Sequence, residues 1–209
     1  EAAVGAVPKG ALARVLVFLF ASGLCGGLLF NAMTVALPKM MDDALPGMGH
    51  GALSAGAVAS AIFAAAAFSQ LLSGRLLDRV AARPLAGLLT SGQAVSLVLM
   101  ALAGGWLQVL AALALVTLIF AEIPVGDTLI KRVTSPAVRA RAYGLVYAVT
   151  FGTSVATVPL IAWLYRDGQG FASLLWLLSV STGLLALAAW SLPRGAGDPP
   201  GLRPRLAVA

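Results

Sequence analysis

The chain has 209 residues, 60% of them hydrophobic and only 11% charged, with a formal net charge of +6. A soluble domain carries about 25% charged residues. So apolar a chain cannot hide its side chains from water, which excludes a soluble fold and makes lipid the solvent for most of it. The basic excess lies in short segments between apolar runs and forms no basic face, which speaks against nucleic acid as a partner.

A membrane-crossing helix needs about 20 largely apolar residues. Six segments qualify. The first is 14–37, stopped by Pro38. Its single cysteine, Cys25, has no partner for an internal disulfide and reads as a small packing residue. An outer Gly-rich loop, 38–53, follows, with Asp42, Asp43 and His50, the last read as a surface residue. The second segment is 54–77. The third, 84–102, is opened by Pro84 and closed by Gly104 and Gly105. The fourth, fifth and sixth are 107–130, 142–165 and 171–192, the last stopped by Pro193. Proline at a helix start and Gly or Pro past its end are the expected punctuation. Residues 1–13 read as a cytoplasmic linker and 194–209, rich in Pro and Gly, as a disordered cytoplasmic tail. The first residue is Glu1 rather than Met, and a piece of a longer protein is expected.

Twelve of the fourteen Lys and Arg residues fall on one side of this arrangement. They are Lys9, Arg14, Arg75, Arg79, Arg83, Lys131, Arg132, Arg139, Arg141, Arg194, Arg203 and Arg205. Lys39 and Arg166 alone fall on the other. Basic loops stay cytoplasmic, so both termini are expected in the cytoplasm. The outer loops are too short to hold a domain, which places the function within or across the bilayer.

The loop between the second and third segments reads SGRLLDRVAARP, residues 73–84. Its Gly74, Leu76, Asp78, Arg79 and Arg83 match the loop motif G-x-L-x-D-R-x-G-R-K, with Ala81 and Ala82 in place of the usual second glycine and a basic residue. In this the chain resembles the major facilitator superfamily. The stretch 135–171 is similar to the entry into that family's eleventh helix: a basic cluster, a small-residue helix, a proline, a Leu-Tyr pair and a short Gly-containing turn. With six segments, the resemblance is to the C-terminal half. It implies an all-α integral membrane fold, half of a twelve-helix bundle, whose partner is the N-terminal half of the same protein. It further implies secondary active transport of a small solute by alternating access, in the cell inner membrane, without a cofactor. Coupling to protons or sodium is implied too, and the sequence names no ion.

The resemblance gives Gly74, Asp78, Arg79 and Arg83 the role of a conformational latch. Asp78 would dock on the N-terminus of the fifth helix, whose free N–H groups and partial positive charge attract a carboxylate. On chemistry alone the arginines are topology signals and Asp78 is solvated; Arg75 and Arg83 keep mainly that role.

Glu122, before Pro124, is the one acid well inside an apolar run. A charge there costs at least about 2.5 kcal/mol without a partner, water or a proton. Two readings stand: a contact to a cation, proton or substrate, or a structural pair with a basic residue. Asp127 and Lys131, four apart, read as a cytoplasmic gate pair. Gly23, Gly27, Asn31 and Thr34 share one face of the first helix, and Thr150, Thr153, Ser154 and Thr157 one face of the fifth. They are candidate substrate contacts or packing residues that let helices approach. Gln93, in the third helix, is a further candidate, and the resemblance ranks Asn31 ahead of it. No phosphate-binding loop, no HExxH and no GxSxG is present, so no ATP motor or enzyme is read here, and no metal site. The alternatives are a stand-alone six-span protein forming an oligomeric pore or transporter, and a non-transporting scaffold.

Overall fold

The computed structural model describes residues 9–46, 52–166 and 170–192. Side chains at 9–12, 52 and 53 are outside the description. So are His50, most of the expected linker and the whole of the expected tail. The described residues form helices only: α1 (Lys9–Ala44), α2 (Ala52–Ala67), α3 (Ser69–Leu77), α4 (Ala82–Leu102), α5 (Gly105–Val133), α6 (Pro136–Tyr165) and α7 (Ala172–Trp190). Six spans are long and apolar enough to cross a membrane, with α2 and α3 together making one, Ser54–Leu77.

The ends of these helices show which sequence signals were strong. Ser135 and Pro136 open α6, six residues earlier than the apolar run. Charged residues can extend a helix into the headgroup region, where hydropathy alone does not see it. Pro38 was expected to stop α1, yet it lies inside the helix, which runs on to Ala44. Interior proline removes one N–H and crowds the carbonyl four residues back, and here burial of Met40, Met41 and Ala44 beyond it offsets that cost. Lys39 adds exposed ion pairs along this stretch, its Nζ 2.7 Å from Asp43 and 3.3 Å from Asp42, four and three residues on. Asp42 and Asp43 are therefore helical rather than part of a loop. Between α4 and α5 the chain turns within Ala103 and Gly104, and Gly105 sits at φ +61°. Only glycine takes that conformation without strain.

α5 is the central helix, touching α1, α2, α3, α4 and α6. α4 packs mainly on α7 and α5, while α6 leans on α1 and has little contact with the rest. Pro124 lies inside α5 and weakens its backbone ladder. Three side chains from neighbouring helices donate to α5 carbonyls nearby: Ser69 Oγ to Thr117 O at 2.9 Å, Gln93 Nε2 to Leu118 O at 3.3 Å and Ser73 Oγ to Ala121 O at 2.5 Å. These bonds fix α5 against α3 and α4 beside the proline, while the carbonyl that loses its ladder donor to Pro124 is that of Phe120, four residues back.

Two apolar clusters form the core. One surrounds Met33, Leu37, Met100, Leu115 and Leu178; the other, nearer the arginine-rich loops, surrounds Phe18, Leu77, Leu85, Leu129 and Leu185. Between them along the chain lie Ser22 and Gln93, with Glu122 at the edge of the second.

Arg83 has a defined structural job. Its Nη2 and Nε donate to Trp190 O, at 2.6 and 3.2 Å, closing the C-terminal end of α7. The Trp190 ring lies on Gly87, where a Cβ would come within 2.6 Å of it, and its Nε1 donates to Ser91 Oγ at 3.2 Å. A cation at a helix C-terminus meets both free carbonyls and the negative end of the dipole. Arg83→Ala should lower stability by about 1–2 kcal/mol. Arg83→Lys keeps the topology-setting charge but not the two-armed contact, so it should recover about half of the loss in a thermal-unfolding assay. Full recovery by lysine would reduce Arg83 to a topology signal.

Candidate functional site

A cleft of about 300 Å³ opens between α1, α5 and α6. Glycines shape its α1 wall. Gly23 and Gly27 are buried against α6, and a Cβ on Gly27 would stand 2.5 Å from the Thr150 carbonyl oxygen. Gly26 and Gly126 face the open space. Leu19, Leu29, Ile119, Ile123, Ile130 and Val146 supply aliphatic lining, and Phe30, Tyr147 and Phe151 the aromatic part.

Glu122 is the polar centre. Its Oε1 accepts from Ser22 Oγ at 2.9 Å and its Oε2 from Gln93 Nε2 at 2.7 Å. Both donors are neutral, and no described Lys or Arg pairs with it, so the structural ion pair considered for Glu122 is not formed here. Gln93, 1% exposed, is held by its second contact to Leu118 O and aims its amide at the carboxylate. Asp127 is the second acid on the cleft. Its Oδ1 accepts from Tyr147 Oη at 3.3 Å, and its backbone carbonyl accepts from Tyr143 Oη at 3.1 Å. The expected pairing of Asp127 with Lys131 is absent in this conformation. Tyr143, Tyr147 and Phe151 stack along α6 with centroids 6.1 and 6.0 Å apart.

Other candidates lie elsewhere. Asn31 Nδ2 donates to Gly27 O at 2.8 Å and Thr153 Oγ1 at 3.3 Å. It ties α1 to α6 and does not line the cleft, whereas Gln93 does. Thr150 lines the cleft with its hydroxyl turned to Val146 O, and Thr153 and Thr157 are buried with hydroxyls on α6 carbonyls. Thr34 and Ser154 are exposed and bond within their own helices. In the loop motif, Gly74 has open space around it. Asp78 and Arg79 are exposed, and Asp78 makes no side-chain hydrogen bond or ion pair among the described residues. α3 packs on α5, and Arg132 Nη2 donates to Leu77 O at 3.4 Å beside Asp78.

The family model of the Major Facilitator Superfamily matches residues 19–207. The chain belongs to the major facilitator superfamily. No curated protein matches it. Among solved structures it is similar to the human organic anion transporter MFSD10 (TETRAN), with a TM-score of 0.63 and 17% identity over 89% of this chain and 48% of that one. It is also similar to a mutant of the peptide transporter POT, with a TM-score of 0.70 and 19% identity over 92% of this chain and 41% of that one. It thus spans about half the length of these transporters. At such identities the likeness is one of fold.

Within this member of the superfamily, the sequence missed Ser22, Phe30, Tyr147 and Phe151 as cleft residues. A signal existed for two of them: Tyr143, Tyr147 and Phe151 recur every four residues, a stripe on one helical face. Ser22 and Phe30 stand in an apolar helix with nothing in their local spacing to mark them.

Proposed function

We propose that this chain is the C-terminal six-helix half of a secondary active transporter of the bacterial inner membrane, with both ends in the cytoplasm. It moves a small solute by alternating access, the cleft between α1, α5 and α6 being this half's share of a central path. The observation that carries the reading is Glu122: an acid inside a membrane span, facing a cleft and held by two neutral donors. An ionisable group in lipid is costly, and those that persist mark substrate or ion pathways. Coupling to protons or sodium acts through the same carboxylate. The half-length match to two transporters supports a missing six-helix partner. The anions and peptides named for those two do not carry over, since among the described residues this cleft holds two carboxylates and no Lys, Arg or His.

Asp78 and Arg79 serve as the latch in the opposite conformation, where α3 swings toward the start of α6. Asp127 pairs with Lys131 once Tyr147 releases it. The test of the function is solute counterflow in proteoliposomes with the full-length protein; no flux of any small solute would refute it. For the latch, Asp78→Asn should cut flux about tenfold or more with normal insertion, on the scale of losing one charge-assisted contact. Unchanged flux would remove Asp78 from the mechanism.

A further inference from the structure

We infer that the cleft selects lipophilic organic cations. The inference rests on the reading of the cleft as a solute site and adds its charge class. Three observations carry it. First, among the described residues the lining contains Glu122 and Asp127 and no Lys, Arg or His. An anion against this wall would meet like charge with no compensating group on it, while a cation would replace missing water for the Glu122 carboxylate. Second, the remaining wall is aliphatic and aromatic, and at about 300 Å³ the cleft has the size of a small-molecule pocket. A strongly hydrated small cation would lose its water shell there without enough oxygen ligands to replace it. An organic cation, whose charge is spread and weakly hydrated, would not. Third, the Tyr147 and Phe151 rings both line the cleft. Aromatic faces attract cations, so α6 offers a wall and α5 a counter-charge.

Phe30 adds a further ring from α1, held against Phe120 with centroids 5.9 Å apart. Glu122 is anchored by Ser22 and Gln93, so its position is fixed before a ligand arrives. Such preorganisation removes part of the ordering cost of binding.

The test compares two ions of the same shape and opposite charge, tetraphenylphosphonium and tetraphenylborate. Their binding to the full-length protein is measured in nanodiscs of zwitterionic lipid, with empty nanodiscs subtracted. The phosphonium should bind about tenfold tighter or more, and Glu122→Gln should weaken it by about tenfold while strengthening the borate, whose like-charge repulsion it relieves. Tyr147→Leu, at an exposed ring, should weaken the phosphonium about three- to tenfold. It carries the test if the Glu122 variant fails to assemble. Equal or tighter binding of the borate, or phosphonium binding unaffected by the variants, overturns the inference. Phosphonium binding without counterflow of any solute would sink the transport proposal and leave the cation site. Counterflow of a neutral or anionic solute without phosphonium binding would do the reverse.

Discussion

Gly27→Val should abolish assembly of the bundle, and Gly27→Ala should lower its stability by about 1–3 kcal/mol. The reason is backbone against backbone. A Cβ on Gly27 would lie 2.5 Å from Thr150 O and 3.0 Å from Thr150 Cα, with Thr153 Oγ1 at 2.8 Å. Carbonyl and Cα atoms cannot rotate away, so α1 and α6 would separate. That separation would also pull Asn31 from Thr153 and open the cleft. α6 has little other contact with the bundle, so nothing compensates. Gly152→Ala on α6 is the control: open space surrounds it, and alanine is the better helix former by about 1 kcal/mol. Thermal unfolding followed by size-exclusion chromatography should show a fall for position 27 and no fall for position 152. Equal behaviour would mean that the close approach of α1 and α6 is not needed for the fold.

Glu122→Ala should reduce solute flux to background while the protein still inserts. The side chain is the ionisable centre that Ser22 and Gln93 hold, and the second acid of the cleft, Asp127, is turned to Tyr147 instead. Its partners allow a sharper check. Gln93→Leu leaves Glu122 Oε2 without its 2.7 Å donor and should cost about 1–3 kcal/mol, the penalty of an unsatisfied buried group. In a Glu122→Leu background the same change should cost much less, because both partners are then apolar. Additive losses in this double-mutant cycle would show that Gln93 and Glu122 are not coupled.

The two predictions differ in how visible they were beforehand. Gly27 was readable as a small residue on a shared face with Gly23 and Asn31, since that follows from helical spacing. That it meets Thr150, more than a hundred residues away, was not. Glu122 stood out because an acid in an apolar run is a local anomaly. Of its partners, Ser22 did not, because serine is ordinary in such helices, and Gln93 was a candidate with nothing in its spacing to pair it with Glu122. Asn31 was ranked above Gln93 from the helix each sits on, and the rotation of the helices put Gln93 on the cleft and Asn31 in a seam. Pro38 misled for a related reason: its local cost is offset by tertiary burial of Met40 and Met41 in the core beyond it, which the sequence does not show.

By itself the sequence determined the number of spans, the all-helical class, the uneven distribution of Lys and Arg between the two sides and the loop motif. Each is a property of the chain in one dimension: apolar length against bilayer thickness, charge against loop position, spacing within a dozen residues. The tertiary structure alone decided which polar groups meet and where a cavity is left. Helices bathed in lipid are apolar on nearly every side, so no amphipathic stripe tells which face turns inward. That choice is made by packing, where small residues such as Gly27 admit a neighbour's backbone, and by the few long-range hydrogen bonds that fix each helix's rotation. Ser22, Gln93 and Glu122 become one site only after those contacts have formed.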